Sequence, residues 1–222
     1  MSCWIGPALL LSTASSGGNY YTVECNVAGP LRLAAENQLL EESGGTAFRP
    51  DTLTLCLVTD PGDTLVFSDT AGVAESGFGS FNLLTDWLPD QRIWVVWRME
   101  WDFSSWLLVS AGNGTTRRSI GRPVPSPGGT RLLCAFSDLA TGHMDTGIEI
   151  WRVEEEGPVQ EYLALEDARA PAEAEWLSDS LIAYEMIPES GSRADRGELR
   201  LNSLGTWEVS EEEAVRYPAT GR

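Results

Sequence analysis

The chain has 222 residues, 42% of them hydrophobic and nine of them tryptophan, which supplies a sizeable core and excludes a disordered protein. Thirty-three acidic residues against fifteen Lys and Arg leave a formal charge of −18. A field of that sign repels phosphate backbones and anionic lipid surfaces, so nucleic-acid binding is not expected, whereas basic protein partners and divalent cations are tolerated.

Residues 1–18 carry the apolar block Trp4 to Leu11 followed by small residues, Ser12 to Gly18. This is compatible with a secretion signal or a disordered N-terminus; no Lys or Arg precedes the block, so a secreted or periplasmic setting and a cytoplasmic one both stay open. No later stretch reaches the run of about 18 apolar residues that a membrane helix needs, so membrane insertion is not expected. Residues 19–210 are expected to form a single all-β domain and residues 211–222 a charged tail beginning at Glu211-Glu212-Glu213.

Tyr20 to Val27 alternates, with Tyr21, Val23, Cys25 and Val27 on one side, and reads as a strand. Leu31 to Leu33 follows as a second short one, and Asn37 to Glu42 either extends it or forms a helical turn. Gly44-Gly45 opens a loop to Arg49-Pro50-Asp51. Leu53 to Thr59 and Thr64 to Ser68 are apolar runs on either side of Asp60-Pro61-Gly62-Asp63, a hairpin signature. Asp69 to Gly79 is glycine-rich and reads as a loop, and Ser80 to Leu84 as a weak strand. Arg92 to Met99 is apolar on both faces, which predicts a central strand covered on each side.

Asn113-Gly114, between Ser105 to Ser110 and Thr115 to Ile120, is the dipeptide best suited to a tight type I′ hairpin. Asn113-Gly114-Thr115 is also a glycosylation sequon, which the hairpin explains without a sugar. Ser126 to Gly129 is a turn before the run Thr130 to Phe136, and a polar connector, Ser137 to Gly147, leads to strands over Ile148 to Val153 and Val159 to Leu165. Further strands are expected from Trp176 to Met186 across an Asp-Ser turn, and at Leu199 to Leu201 and Thr206 to Val209.

Superposing Arg49 to Asp60 on Pro127 to Asp138 aligns Cys56 with Cys134 and Asp60 with Asp138. Apolar runs then centre near Val23, Cys56, Val95, Cys134 and Ala183, separated by 33, 39, 39 and 49 residues, the sizes expected of repeated four-stranded units. With Ser126-Pro127-Gly128-Gly129 ahead of one strand and Gly147-Ile148-Glu149-Ile150-Trp151 ahead of another, the pattern resembles blades of TolB-like and WD-type β-propellers, as found in small bacterial envelope proteins. The resemblance is good over Pro123 to Leu165, partial over Phe48 to Phe67 and Trp176 to Val209, and poor before Gly44. Gly128 stands where the family's turn has Asp, and no Gly-His to Trp-Asp pairing is present. It implies an all-β, β-propeller-like fold of about five small antiparallel blades, with a β-sandwich as the alternative, and it implies a scaffold without naming an activity.

The four cysteines lack a CxxC spacing, so they suggest neither a zinc site nor a dithiol redox motif; buried free thiols are expected, with one disulfide as the alternative. The single histidine, His143, sits in the connector between Asp138 and Asp145, a set of residue types able to hold a divalent cation, although a polar surface loop explains it equally well. No Gly-x-Ser-x-Gly elbow, P-loop or dinucleotide fingerprint is present. Acidic residues beside tryptophans, in Asp86-Trp87, Glu100-Trp101-Asp102 and Glu175-Trp176, suggest a sugar-binding or glycoside-hydrolysing protein with an acidic cleft lined by Trp87, Trp101 and Trp106, against the alternative that tryptophans pack the core. The leading expectation is a non-enzymatic binding or scaffold protein without a cofactor, meeting a protein, a basic one being compatible with its charge, or a small ligand on a loop-rich face that carries Asp69 to Gly79 and Asp138 to Gly147.

Overall fold

The computed structural model describes residues 36–70, 80–100, 103–139, 142–188 and 194–212. Their fold is all-β, fifteen strands in four antiparallel sheets, with one short helix, α1, over residues 36–42. Sheet A holds β1 (Ala47–Asp51), β2 (Thr54–Val58) and β3 (Thr64–Ser68). Sheet B holds β4 (Ser80–Leu88), β5 (Ile93–Glu100), β6 (Phe103–Ser110) and β7 (Thr116–Ser119). Sheet C holds β8 (Pro123–Pro125), β9 (Arg131–Phe136), β10 (Gly147–Glu154) and β11 (Gly157–Leu165), and sheet D holds β12 (Arg169–Ser178), β13 (Leu181–Pro188), β14 (Asp195–Leu201) and β15 (Trp207–Glu212). Within each sheet every strand pairs with its neighbour in the chain, so each is a meander built from local contacts.

The sheets pack face to face in chain order, because their strands carry apolar residues on both sides. In β5 and β6, Trp94, Val96, Leu107 and Val109 meet Leu55 and Leu57 of sheet A, while Ile93, Val95 and Leu108 meet Leu132, Cys134 and Trp151 of sheet C. β5 is therefore covered on each side, as its unbroken apolar run predicts. Sheet C turns its other face, Leu133, Ile148 and Ile150, to Ile182, Tyr184, Met186 and Leu199 of sheet D. The expected centres Cys56, Val95, Cys134 and Ala183 fall in β2, β5, β9 and β13, one in each sheet; Val23 and the strands expected over Tyr20 to Leu33 lie outside the described residues.

One end of the sheets is knitted together by tight turns. The Gln91 side-chain amide, between β4 and β5, donates to the Gly129 carbonyl between β8 and β9 at 3.0 Å. The neighbouring Gly128 N–H donates to the Asp179 carboxylate between β12 and β13 at 2.6 Å. Asp60, between β2 and β3, donates its N–H to the Ala111 carbonyl after β6, and Asn113 donates from its side chain to the Glu156 carbonyl between β10 and β11. The opposite end carries the longer connectors, including residues 137–146 between β9 and β10. Asp69 leads from β3 toward the same end; residues 71–79 of the expected loop lie outside the described residues.

Several elements depart from expectation. Asn113-Gly114 does not make a two-residue type I′ turn: the connection runs over residues 111–115, only Gly114 takes a positive φ, and the Asn113 carboxamide oxygen instead accepts the Thr115 N–H. β1, β8 and the first half of β12 are strands that their Pro and charge content hid, and β8 is an edge strand, where Pro removes no ladder bond that the sheet needs. β4 extends to Leu88, and β15 takes in Glu211 and Glu212. Cys56 and Cys134 are buried free thiols.

The edge of β4 that faces away from β5 is closed by charged side chains rather than by another strand. Glu36 at the start of α1 is fully buried and accepts the Leu84 N–H at 2.7 Å, while Arg49 of β1 donates to the Asn82 carbonyl at 2.5 Å and pairs with Glu36 through both Nε and Nη2. Asp69 accepts the Asn82 N–H at 2.6 Å. Open strand edges seek partners, and this buried network satisfies three backbone groups while tying sheet A to sheet B. Among the described residues no helix is long and apolar enough to cross a membrane.

Candidate functional site

At the connector end, a pocket of about 160 Å³ opens between sheets B and C. Its lining comes from Ser104 of β6, Arg118 and Ser119 of β7, Met144 and Asp145 of the connector, and Glu149 of β10, with Ile120, Leu163 and Leu165 as its apolar wall. Strand alternation places Glu149 on the same side of β10 as Trp151, the side that faces sheet B, while Ile148 and Ile150 face sheet D. A carboxyl thus stands within the interface between sheets B and C, only 2% exposed.

Such a group persists when its oxygens are satisfied. Glu149 Oε1 accepts from the Gln160 side-chain amide at 2.6 Å, and Oε2 accepts the Ile120 N–H at 3.1 Å. The indole N–H of Trp151 lies near the carboxyl but outside full hydrogen-bond geometry, and it too favours the anion. Burial outweighs these donors and, with the negative charge of Asp145, holds the Glu149 carboxyl above the ordinary carboxylic-acid range. Burial likewise pushes the Cys134 thiol, paired in register with Glu149, well above the ordinary thiol range, and the charge of Glu149 adds to this. Cys134 is therefore a neutral thiol packed as a small hydrophobe rather than a nucleophile.

The connector is held in shape by Asp138. One of its carboxylate oxygens accepts the backbone N–H groups of His143 and Met144, at 3.0 and 2.9 Å, and its own N–H donates to Thr146 Oγ1 at 2.7 Å. Gly147 then begins β10 where a side chain would collide with the Ala164 carbonyl of β11. These constraints set Met144 against Ser104, whose hydroxyl donates to the thioether at 3.3 Å, and place Asp145 at the pocket mouth.

Of the three residues suggested for a divalent cation, Asp138 is thus engaged with the backbone of its own loop, Asp145 lines the pocket and His143 is exposed. Among the described residues no three His, Cys, Asp or Glu side chains are grouped so as to hold a metal ion. Of the tryptophans suggested for a sugar cleft, Trp87 and Trp106 lie on opposite faces of sheet B. Trp87 packs on Trp94 with ring centroids 5.2 Å apart, on the face of sheet B that meets sheet A. Trp106 packs on Phe136 at 5.5 Å, on the face that meets sheet C, and Trp101 lies outside the described residues.

Reasoning from sequence missed Glu149, Ser119, Ser104 and Arg118. For Glu149 a signal existed: in the expected strand Ile148 to Val153 it shares a side with Trp151, so one charge interrupts a buried face. For the serines and Arg118 none did, since their importance arises from the approach of sheet C to sheet B. No protein-family model matches the chain, and no curated protein matches it.

Proposed function

We propose that the chain is a non-enzymatic binding or scaffold protein of propeller-like build, which receives a protein partner on the connector end of its sheets. The observation that carries the reading is the division of labour between the two ends. At one end the turns of successive sheets are bonded to each other in series, through Gln91, Gly128, Gly129 and Asp179. At the other end the connector over 137–146 is shaped by Asp138 and frames a pocket with a buried carboxyl.

Serial meanders stacked in chain order and linked turn to turn support sheets arranged round an axis, an arrangement that leaves strand edges short and protected. The packing of Trp87 and Trp106 into opposite faces of sheet B favours partner binding over a sugar-stacking cleft. The net charge of −18 selects for basic partners through long-range attraction.

Selection from an unbiased peptide library tests this. Binders enriched in Lys and Arg are expected, their contacts mapping by amide shifts to residues 104, 118–120 and 142–147, and their affinity falling about tenfold or more when salt is raised to about 0.5 M. Peptides that map instead to the tight-turn end, or a selection without basic enrichment, would contradict the proposal.

A further inference from the structure

We infer that the pocket between β6–β7 and β10–β11 receives the side chain of a lysine carried on an extended segment of the partner, with Glu149 as its counter-ion. This rests on the partner-binding reading and assigns it a chemistry.

Size is the first argument. An apolar cavity of about 150 Å³ holds one benzene ring, and sites for drug-sized ligands start near 300 Å³. At about 160 Å³ the pocket suits one side chain and is too small to enclose a nucleotide or a chain of sugars.

Chemistry is the second. Ile120, Met144, Leu163 and Leu165 offer an apolar sleeve for methylenes, and Glu149 and Ser119 stand among them as acceptors. The butylammonium arm of lysine has this order of apolar stem and charged tip. The charged and titratable groups that face Glu149 are Asp145 from the connector and Cys134 from β9, with neutral Gln160 from β11; Arg118 of β7 lines the pocket, but its register opposite Leu107 places it on the sheet A face. Asp145 and Glu149 supply carboxyl groups while Cys134 and Gln160 are neutral, so the set accepts a positive charge.

Access is the third and is independent of the other two. β7 ends at Ser119, paired with Trp106, so no described strand lies outside Phe103, Ser104 and Ser105 of β6. The pocket occupies the place where β7 would have continued. Across it, Leu163 and Leu165 on the edge strand β11 are 44% and 51% exposed. An extended segment laid along this gap directs alternate side chains between the sheets.

Because burial favours the protonated form of Glu149, an entering ammonium draws out its proton, and affinity rises with pH through the Glu149 titration while the lysine stays charged. The test is titration of the isotope-labelled protein with n-butylammonium, with the peptide acetyl-Gly-Gly-Lys-Gly-Gly-amide, and with the same peptide carrying norleucine for lysine. Shifts are expected at the Ile120 amide and the Gln160 side-chain amide. The lysine peptide is expected to bind about tenfold more tightly than n-butylammonium, and the norleucine peptide to produce no shift. Glu149→Gln should abolish the shifts while remote amides stay in place, and Asp145→Asn, at an exposed position, should weaken binding about threefold. Equal binding of the norleucine peptide, no gain of the peptide over n-butylammonium, or full binding by both variants would overturn the inference. If library-selected peptides still bound the connector end in Glu149→Gln, partner binding would stand and the lysine pocket alone would fall.

Discussion

Glu149 couples the pocket to stability. Its carboxyl is held above the ordinary range in the folded protein, chiefly by burial, so the folded state keeps this proton at pH values where the unfolded chain has released it. The stabilisation linked to that proton is therefore complete below the unfolded value of about 4.5 and is lost as pH rises through the folded value. Glu149→Gln removes the titration. Urea unfolding of both proteins at pH 4 and pH 7 should show the wild type losing stability relative to the variant on going to the higher pH; parallel behaviour would contradict the assignment. The comparison with the variant matters, because a chain with so many carboxylates has other sources of pH dependence.

The same scale shows what a sequence can reveal about a site. His143 is the one histidine, yet it is exposed, and the loop around it is organised by Asp138 through backbone bonds. The acid with raised titration is instead a glutamate inside a strand, hinted at by the side it shares with Trp151 and recognisable once the two faces of β10 have separate partners.

Among the elements, β4 shows why single strands were harder to recognise than hairpins. Only its first five residues read as a strand, because the polar Thr85 and Asp86 break the alternation; a register shift between Leu84 and Asp86 absorbs them. Its outer edge is closed by Glu36, Arg49 and Asp69, which come from α1, β1 and the end of β3, and no local pattern announces such a cap. By contrast, the hairpin of β2 and β3 was legible because Gly62 supplies the positive φ that its turn demands.

The cap makes a quantitative prediction. Arg49, Glu36 and Asp69 have side-chain exposures of 6%, 0% and 3%. Arg49→Met leaves two buried carboxylates without their cation and should cost about 3–5 kcal/mol in chemical denaturation, the range for breaking a buried ion pair by removing one partner. A loss below about 1 kcal/mol, typical of exposed pairs, would mean that the cap is not buried in solution.

For the whole molecule, the all-β class was legible because each sheet is a meander of chain neighbours; Cys56, Val95, Cys134 and Ala183 fall one in each sheet, although sheet A has three strands where the spacing implies four. What the spacing could not supply was which faces meet, since a strand buried on both sides has no preferred face in its pattern. The stacking order comes from the contacts of Trp94 and Val96 with sheet A and of Ile93 and Val95 with sheet C. The proposed function depends on that order continuing round an axis, so that connectors from different sheets converge on one end.

A distance between the first and last sheets tests this most directly. Val66 of β3 and Leu177 of β12 are 58% and 52% exposed, and both are suited to spin labels after replacement of the native Cys3 and Cys25 by serine. Sheets packed face to face lie about 10 Å apart, so four in a straight stack would hold the backbones of sheets A and D about 30 Å apart, with the labels farther still. Pulsed dipolar spectroscopy on the Val66→Cys, Leu177→Cys protein should give a narrow distribution centred below about 30 Å if the sheets turn round an axis. A distribution centred well beyond that distance would describe a straight stack and contradict the account.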